Sequence, residues 1–354
     1  MNNIDKVKSA VVASEFDAVL ITSEFSRRYA TGFHSTAGIA VVASDGAWFF
    51  TDSRYFEAAM FAIENADVIM VDSEKTYITE INRIITESGI GTIAFEQSTV
   101  TYLEYERWSE KLTAQLVPMG DLLSNLRMVK SWEDLRAMKK AQKIAERSFL
   151  EILPVIDTDI TEKELAAELI CRFLQNGADT VSFDPIIVSG ERSSLPHGVP
   201  SGRKIQKGFL TMDFGVIADG WCSDTTRTVS VGKPTDEMRK VYDTVLRAQI
   251  AGIAATHAGA KGCEIDGAAR DVITAAGYGK YFGHSFGHGL GLEVHESPNV
   301  APSNDKEIPA GAVISAEPGI YLPGRFGVRI EDVLYVTEDG SENITDLSKE
   351  LLII

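Results

Sequence analysis

The order of predicted elements in the second half of the chain repeats at a nearly constant spacing. Ser131 opens a capping box before one long amphipathic helix, and Thr235 begins another such helix 104 residues later. A second helix is predicted to start at Thr161 in the first set and at Glu264 in the next, 103 residues apart, and a strand hairpin follows each time. We interpret this order as an internal repeat of helix, helix and hairpin, whose two copies pack around a common centre.

Each predicted hairpin carries two acidic residues at mirrored positions. Asp213 and Asp224 are equally distant from a point within the turn at residues 218–220, so a regular hairpin would place them directly opposite each other. Glu317 and Glu331 are mirrored in the same way about the following turn. Facing like charges destabilise a sheet unless a cation lies between them. If the repeat brings the four carboxylates together, two divalent cations would balance their charge.

Three of the chain's six histidines, His284, His288 and His295, lie within twelve residues between the two hairpins. Alternating glycines in this segment argue against a helix, so a helical zinc motif is not expected there. Glycine instead allows the backbone to approach a ligand closely. Residues 283–287 also match the GxSxG pattern of serine hydrolases, but the strand before it and the helix after it are missing. We therefore favour a metal site over a serine nucleophile.

The first third of the chain is predicted to alternate short strands with helices, without a glycine-rich phosphate-binding motif. Since 354 residues exceed the usual size of one core, we expect two domains, residues 1–126 and 127–354. The strands predicted in the first domain are Ala18–Thr22, Gly38–Ala43, Ala47–Thr51, Asp67–Val71 and Thr92–Phe95, and the helices are Tyr55–Asn65 and Tyr77–Ser88.

Charge and composition limit the partners and the compartment of the chain. A formal net charge of -17 argues against binding to nucleic acid or to an anionic membrane. The three cysteines are far apart, and we expect reduced thiols. No apolar run is long enough to span a bilayer, and no signal peptide is recognised. These features predict a cytoplasmic protein.

Five motifs, in order, resemble those of the Xaa-Pro aminopeptidase and Xaa-Pro dipeptidase (prolidase) family, whose catalytic domain has the pita-bread fold. Residues 29–33 and 51–55 resemble that family's creatinase-like N-terminal domain. The resemblance implies an α/β N-terminal creatinase-like domain and an α+β pita-bread C-terminal domain with an internal pseudo-twofold repeat. The five motifs lie at residues 212–215, 222–228, 283–296, 316–321 and 327–332.

The resemblance also implies a metal ligand set. Asp224 and Glu331 would bridge two metal ions. Asp213 would complete one metal site, and His288 and Glu317 would complete the other. Because the shell is rich in oxygen with a single imidazole, we expect two Mn²⁺ ions, with Co²⁺, Zn²⁺ or Fe²⁺ as alternatives. Two such ions about 3.5–4 Å apart would hold a bridging water and lower its pKa, producing a hydroxide at neutral pH.

Further site residues are implied around these ligands. His197 and His295 would contact the scissile carbonyl and its tetrahedral intermediate, and His284 would line the proline pocket. Arg329 lies two positions before a predicted ligand, on the same strand face, and suits a contact with the ligands or the substrate. Glu317 is also the candidate for taking the proton of the water.

The function predicted from these residues is hydrolysis of Xaa-Pro bonds at the N-terminus of peptides, as in an Xaa-Pro aminopeptidase. The alternative is an Xaa-Pro dipeptidase that acts only on dipeptides. The α/β domain in front argues against a methionine aminopeptidase, and the full ligand set argues against a metal-free creatinase-like enzyme. A non-catalytic pita-bread binding protein is a remote alternative. The partners expected are a peptide with proline at the second position and copies of the same chain, in a homodimer or tetramer.

Overall fold

The computed structural model describes residues 2–354 and divides into two compact units, Met1–Arg127 and Met128–Ile354. Within residues 2–354, no helix combines the length and the apolar character needed to cross a bilayer. The first unit has an α/β architecture and the second has an α+β architecture, as predicted.

The first unit is built on one mixed six-stranded sheet. Its strands are β1 (Ala18–Ile21), β2 (Ile39–Ala43), β3 (Ala47–Thr51), β4 (Asp67–Met70), β5 (Thr92–Phe95) and β6 (Gln115–Pro118). Its helices are α1 (Asn3–Val12), α2 (Glu24–Thr31), α3 (Phe56–Ala62), α4 (Tyr77–Glu87), α5 (Tyr102–Lys111) and α6 (Leu122–Met128). The strand order is β4-β3-β2-β1-β5-β6, and only the β1–β2 and β2–β3 pairs are antiparallel.

Helix α4 shows why the sequence pattern succeeded in this unit. The side chain of Thr76 caps its first turn, and Ile81, Ile84 and Ile85 form one apolar stripe buried against the sheet. Helix α5 has no buried residue, so its sequence lacks such a stripe and it was not predicted. The five predicted strands are confirmed to within one residue at either end.

The second unit contains the predicted succession of helix, helix and hairpin twice. Its four helices are α7 (Trp132–Ile152), α8 (Glu162–Gln175), α9 (Asp236–Ala255) and α10 (Gly262–Ala275). The strands of its first half are β7 (Thr180–Val181), β8 (Ile186–Ser189), β9 (Gly208–Phe214), β10 (Val216–Ala218), β11 (Trp221–Cys222) and β12 (Thr225–Val231). Those of its second half are β13 (Gly287–Gly289), β14 (Glu296–Val300), β15 (Val313–Ala316), β16 (Gly319–Leu322), β17 (Phe326–Arg329), β18 (Asp332–Thr337) and β19 (Gly340–Asn343).

The helix starts confirm the repeat and correct one of its spacings. Ser131, Thr161 and Thr235 are N-caps, as predicted. Helix α10, however, begins at Gly262 rather than at Glu264, because the carboxylate of Glu264 accepts a hydrogen bond from the backbone N–H of the N-cap residue Lys261 (3.2 Å). Helices α8 and α10 are both 14 residues long and start 100 residues apart, at 162 and 262.

Each half of the second unit has its own apolar core between its helices and its strands. In the first half, Phe149 of α7 stacks on Phe214 of β9, with ring centroids 5.3 Å apart. In the second half, Phe286 lies against Gly252 of α9, where a Cβ atom would be 2.3 Å from the ring. Full burial of each such ring stabilises the fold by roughly 2–3 kcal/mol. These cores fix the strands that carry the acidic residues.

Candidate metal centre

The first hairpin brings Asp213 and Asp224 to one region, but not in the predicted register. Strand β9 pairs with β12 so that Asp213 lies opposite Thr226, and Asp224 lies in a gap between β11 and β12. The prediction that the two aspartates face each other directly is therefore wrong. Asp219 and Gly220 both have positive φ and form a two-residue turn, which centres the hairpin one residue later than assumed. The two aspartates are diagonal neighbours instead.

The gap in the first hairpin depends on a glycine. The register of β9 and β12, continued past its end, would bring Gly215 opposite Asp224. A Cβ atom at Gly215 would lie 2.0 Å from the carbonyl oxygen of Ser223, so only glycine permits the two backbone segments of the hairpin to approach this closely.

The second hairpin places its two glutamates as the mirror predicts. Ala316 pairs with Asp332 and Gly319 pairs with Arg329, so one register runs through both ladders. Glu317 and Glu331 lie at opposing positions in the break between these ladders, which confirms their mirrored placement. Because of this break, neither glutamate belongs to a regular strand, although each is flanked by strands on both sides.

His288 lies on β13 with its ring directed at the acidic residues. Its Nδ1 is 3.1 Å from the carbonyl oxygen of Gly289, so in the neutral tautomer Nδ1 carries the proton and Nε2 is a free electron-pair donor. Nε2 lies 3.2 Å from Oε1 of Glu317 and 3.7 Å from Oδ2 of Asp224. Two ligand atoms that share one ion at right angles, each about 2.1 Å from it, lie about 3.0 Å apart. The spacing therefore suits a shared cation.

Asp224, His288 and Glu331 form a group that could hold a metal ion, because each offers a ligand atom within 4.8 Å of the others. Asp213 belongs to the same cluster, because its charge raises the pKa of both Asp224 and Glu331. Glu317 joins them through its contact with His288. The structure thus brings the five predicted ligands into one cluster.

Burial makes these carboxylates costly without a cation. Burial raises the pKa of Asp224 and of Glu331 well above the usual range, and the charges of the neighbouring carboxylates raise both further. Oδ1 of Asp213 and Oε1 of Glu331 are buried and accept no hydrogen bond from any residue in the described range 2–354. Buried oxygens of this kind require a partner. Carboxylate oxygens and one imidazole nitrogen form a donor set that fits hard or borderline divalent cations.

The direction in which the pKa values of His288 and Glu317 shift is set mainly by the contact between these two side chains. Burial acts to lower the pKa of His288, but the hydrogen bond and the charge of Glu317 outweigh it and raise this pKa to about 9. Burial acts to raise the pKa of Glu317, but the same contact lowers it to about 2. A proton on Nε2 thus neutralises the carboxylate, at the position where a cation would do so.

Two hydroxyl groups that were not predicted hold the acidic side chains in place. Thr226 Oγ1 donates to Oε2 of Glu331 (2.7 Å), and Ser315 Oγ donates to Oε1 of Glu317 (3.2 Å). Ser315 Oγ also accepts a hydrogen bond from the backbone N–H of His288 (3.0 Å). Such partners orient metal ligands. Ser315 could have been found from its place two residues before Glu317, on the same strand face.

Arg329 is buried among the site residues rather than exposed. Its Nη2 donates to Oδ2 of Asp213 (2.5 Å), and its Nη1 donates to the Tyr321 hydroxyl (2.7 Å) and to the carbonyl oxygen of Pro196 (3.1 Å). Tyr321 was also missed, although the mirror of the second hairpin places it on the same face as Arg329. Arg329 therefore joins both hairpins to the segment that carries His197.

The three other predicted site histidines, His197, His284 and His295, lie around this cluster. Nδ1 of His284 lies 2.9 Å from the carbonyl oxygen of Ser285, so in the neutral tautomer Nδ1 donates there and Nε2 accepts from the Tyr321 hydroxyl (3.0 Å). The ring of His295 meets that of His288 edge-on, with centroids 4.3 Å apart. His197 is exposed and directly follows Pro196, whose carbonyl oxygen accepts a hydrogen bond from Arg329. These side chains surround the acidic cluster, where a substrate could reach them.

Comparisons with known proteins agree with this geometry. The model of metallopeptidase family M24 matches residues 136–338, and that of the creatinase/prolidase N-terminal domain matches residues 3–129. The solved structure of an Xaa-Pro dipeptidase from Bacillus anthracis is 41% identical, covers 99% of each chain and has a TM-score of 0.96. An X-Pro aminopeptidase from Thermotoga maritima MSB8 is 36% identical, with 98% of this chain and 100% of that chain covered and a TM-score of 0.91. The Xaa-Pro dipeptidase of Pyrococcus furiosus is 34% identical over 99% of both sequences.

The predicted family and the predicted fold, a creatinase-like domain followed by a pita-bread domain, are confirmed by these matches. Membership of a metallopeptidase family implies divalent metal ions, and peptides as substrates. The cluster of Asp224, His288 and Glu331 is the place that fits such an ion. The chain belongs to metallopeptidase family M24 and is therefore an enzyme that hydrolyses peptides.

Proposed function

We propose that this chain is an Xaa-Pro dipeptidase, which hydrolyses dipeptides with proline at the second position by means of two divalent ions. The observation that carries the proposal is the buried cluster of Asp224, His288 and Glu331. One carboxylate oxygen of Glu331, and one of the neighbouring Asp213, accept no hydrogen bond within the described part of the chain. Cations bound there would neutralise the buried charges and give these oxygens a partner.

The dipeptidase is better supported than the aminopeptidase favoured by the sequence. Proteins named Xaa-Pro dipeptidase match nearly the whole chain at 34% and 41% identity. A protein named X-Pro aminopeptidase also matches, at 36% identity. The aminopeptidase therefore remains the second candidate, and the two differ in whether residues beyond proline are tolerated.

The proposal of two Mn²⁺ ions follows from charge and donor type. Asp213, Asp224, Glu317 and Glu331 supply four negative charges when ionised, which two divalent ions balance. Asp213, Asp224, His288, Glu317 and Glu331 would hold these ions. Oxygen ligands with one imidazole favour Mn²⁺ over softer ions.

The chain's own residues would orient the substrate and move protons. When bound, the ions would polarise the scissile carbonyl and lower the pKa of a water. Glu317 would accept a proton from the water that attacks the carbonyl carbon and pass it to the proline nitrogen as the C–N bond breaks. His197 and His295 would donate hydrogen bonds to the carbonyl oxygen as its charge develops. His284 would line the proline pocket. The hydrogen bond from Arg329 would favour the ionised form of Asp213, which is the form that binds a cation.

The test compares an Xaa-Pro dipeptide with the corresponding Xaa-Pro tripeptide on purified protein. We expect hydrolysis of the dipeptide to disappear on chelation and to return with Mn²⁺, with about two ions bound per chain by elemental analysis. A dipeptidase should turn over the tripeptide at least 100-fold more slowly.

Two outcomes would contradict parts of this proposal. Comparable turnover of the tripeptide would favour the aminopeptidase. Comparable turnover of a Met-Ala peptide would remove the preference for proline.

The proposal also includes the domain boundary between residues 126 and 127, a cytoplasmic location and a homo-oligomer. Size-exclusion chromatography with light scattering tests the homo-oligomer.

A further inference from the structure

Among the buried acidic residues outside the metal cluster, one in each half of the repeat accepts hydrogen bonds from backbone N–H groups near a site histidine. Glu162 is the first residue of α8, and Asp266 lies one turn into α10. Their side chains are 0% and 1% exposed. Each is therefore in the first two turns of the second helix of its half, where the helix dipole favours a negative charge. Neither carries a role in the reaction proposed above.

Asp266 binds the segment that carries His284. Its Oδ1 accepts a hydrogen bond from the backbone N–H of Phe286 (2.8 Å). The carbonyl oxygen of Phe286 in turn accepts a hydrogen bond from the backbone N–H of Glu317 (2.8 Å). Asp266 therefore fixes the end of this segment at a point that also touches a proposed ligand.

Arg270 fixes the other end of the same segment. It pairs with both carboxylate oxygens of Asp266, at 2.7 and 2.9 Å. Its Nη1 donates to the carbonyl oxygen of Phe282 (2.9 Å), and its Nη2 donates to that of His284 (2.7 Å). The guanidinium carbon also lies 4.1 Å from the centre of the Phe282 ring. The acid and the arginine together hold residues 282–286 at three backbone points.

Glu162 holds the segment that carries His197 in a comparable way. Its Oε1 accepts from the backbone N–H of Ser189 (2.9 Å), and its Oε2 accepts from the backbone N–H (3.0 Å) and the hydroxyl (2.7 Å) of Ser201. One carboxylate thus ties together the two ends of residues 189–201. The exposed His197 lies between these two anchored ends.

An arginine again completes the arrangement. Arg192 donates from Nε to Oε2 of Glu162 (3.1 Å) and from Nη2 to the carbonyl oxygen of Val199 (2.6 Å). The bond to Val199 spans the turn that includes His197. Both halves of the repeat therefore use a buried acid, paired with an arginine, to hold a histidine-bearing segment against its second helix.

We propose that the pairs Glu162–Arg192 and Asp266–Arg270 are positioning residues that hold His197 and His284 at the substrate site. The proposal rests on the roles given to the two histidines in the proposed function. The contacts favour it because a carboxylate that accepts backbone N–H bonds forms hydrogen bonds roughly twice as strong as neutral ones. A neutral amide keeps the shape of the acid but not this charge.

The test uses the metal-loaded full chain with Glu162→Gln and Asp266→Asn. We expect kcat/KM for the Xaa-Pro dipeptide to fall about 10- to 100-fold, as on loss of residues that orient metal ligands, while the number of bound ions is unchanged. Glu168→Gln and Asp271→Asn, on the same two helices, serve as matched controls and should change kcat/KM less than about twofold.

Double variants separate positioning from general destabilisation. If Asp266 acts through His284, then Asp266→Asn adds less than about a threefold loss to His284→Ala, and the same holds for Glu162→Gln on His197→Ala. Losses that multiply in full would overturn the proposal. Should an acid variant fail to fold, Arg192→Gln and Arg270→Gln test the same pairs and carry the same expectation.

Hydrogen exchange tests the anchoring without any substrate. The amides of Ser189, Ser201 and Phe286 should exchange at least tenfold faster in the variants, whereas the amide of Met212 in β9 should not change. Unchanged exchange at the three anchored amides would overturn the proposed anchors even in an active enzyme. If the wild-type chain instead shows slow exchange there but no activity on Xaa-Pro peptides, the proposed function fails and the anchors stand.

Discussion

The single residues of the candidate centre show what the sequence can and cannot specify. The mirrored positions and the motifs identified the acidic residues and His288. The hydrogen-bond partner of Glu331, Thr226, was missed because this contact depends on the strand register. A register shift of two residues keeps a side chain on the same face but changes its neighbour. Chemical type was therefore predictable, and contact was not.

His288 provides a test of the charge balance in the metal-free protein. Its pKa is raised from 6.5 to about 9, so its contribution to stability, on the order of 3 kcal/mol, is present below pH 6.5 and is lost as the pH rises through 9. Asp224 and Glu331, whose pKa values burial raises, act in the same direction. We expect the melting temperature of the metal-free chain to fall between pH 6.5 and 9.

The comparison for this pH series is made with two variants. His288→Asn should flatten the dependence, whereas His257→Asn, at an exposed histidine, should leave it as in the wild type. Bound Mn²⁺ should also flatten it, because an ion replaces the proton that Nε2 carries. A melting temperature that rises from pH 6.5 to 9 without metal would contradict this charge balance.

At the scale of the elements, turn geometry decided the outcome. The sequence located the first hairpin but placed its centre inside a three-residue turn, whereas positive φ values at Asp219 and Gly220 make a two-residue turn. In the second hairpin the assumed centre was right, and so was the placement of Glu317 and Glu331. Strand position follows from apolar pattern, but register follows from backbone conformation that composition only suggests.

Gly215 is the residue on which the first hairpin should be most sensitive. Gly215→Ala would place a methyl group 2.0 Å from the Ser223 carbonyl oxygen, so the two backbone segments of the hairpin must separate beside Asp224. We expect a loss of about 2–4 kcal/mol in the free energy of unfolding, together with weaker Mn²⁺ binding. Chemical denaturation and calorimetric titration measure the two effects.

Gly202→Ala is the control, since no atom lies within 4 Å of the Cβ position there. It should change the free energy of unfolding by less than about 0.5 kcal/mol. If Gly215→Ala were equally mild, the close approach of the strands would not be needed for the fold.

At the scale of the whole molecule, the duplication was predictable because it appears in local signals. Capping residues at Ser131, Thr161 and Thr235 marked the helices, and apolar runs marked the strands. The helices α1, α2, α5 and α6 of the first unit were not predicted. Helix α5 has no buried residue.

The division into two units gives a prediction about independent folding. All five proposed ligands and the hydroxyl groups that hold them lie in Met128–Ile354, which also has its own apolar cores. We expect residues 128–354, produced alone, to unfold cooperatively and to bind Mn²⁺ with an affinity within about tenfold of that of the full chain. Circular dichroism and calorimetry check this.

The matched control is the same fragment with Glu331→Gln, which should fold but bind the ion at least 100-fold more weakly. A fragment that folds cooperatively yet shows no difference between the two forms would place the ion elsewhere. An unfolded fragment would show that the second unit does not fold independently.

The distribution of the proposed ligands along the chain also has a consequence for biosynthesis. Asp213 and Asp224 leave the ribosome more than one hundred residues before Glu331, and the last helix pair and hairpin must form before these acids meet. A nascent or prematurely terminated polypeptide therefore has the first half of the centre but no cradle for an ion. Metal capture would then mark the completion of translation, and loading would depend on the cation supply that the finished protein meets.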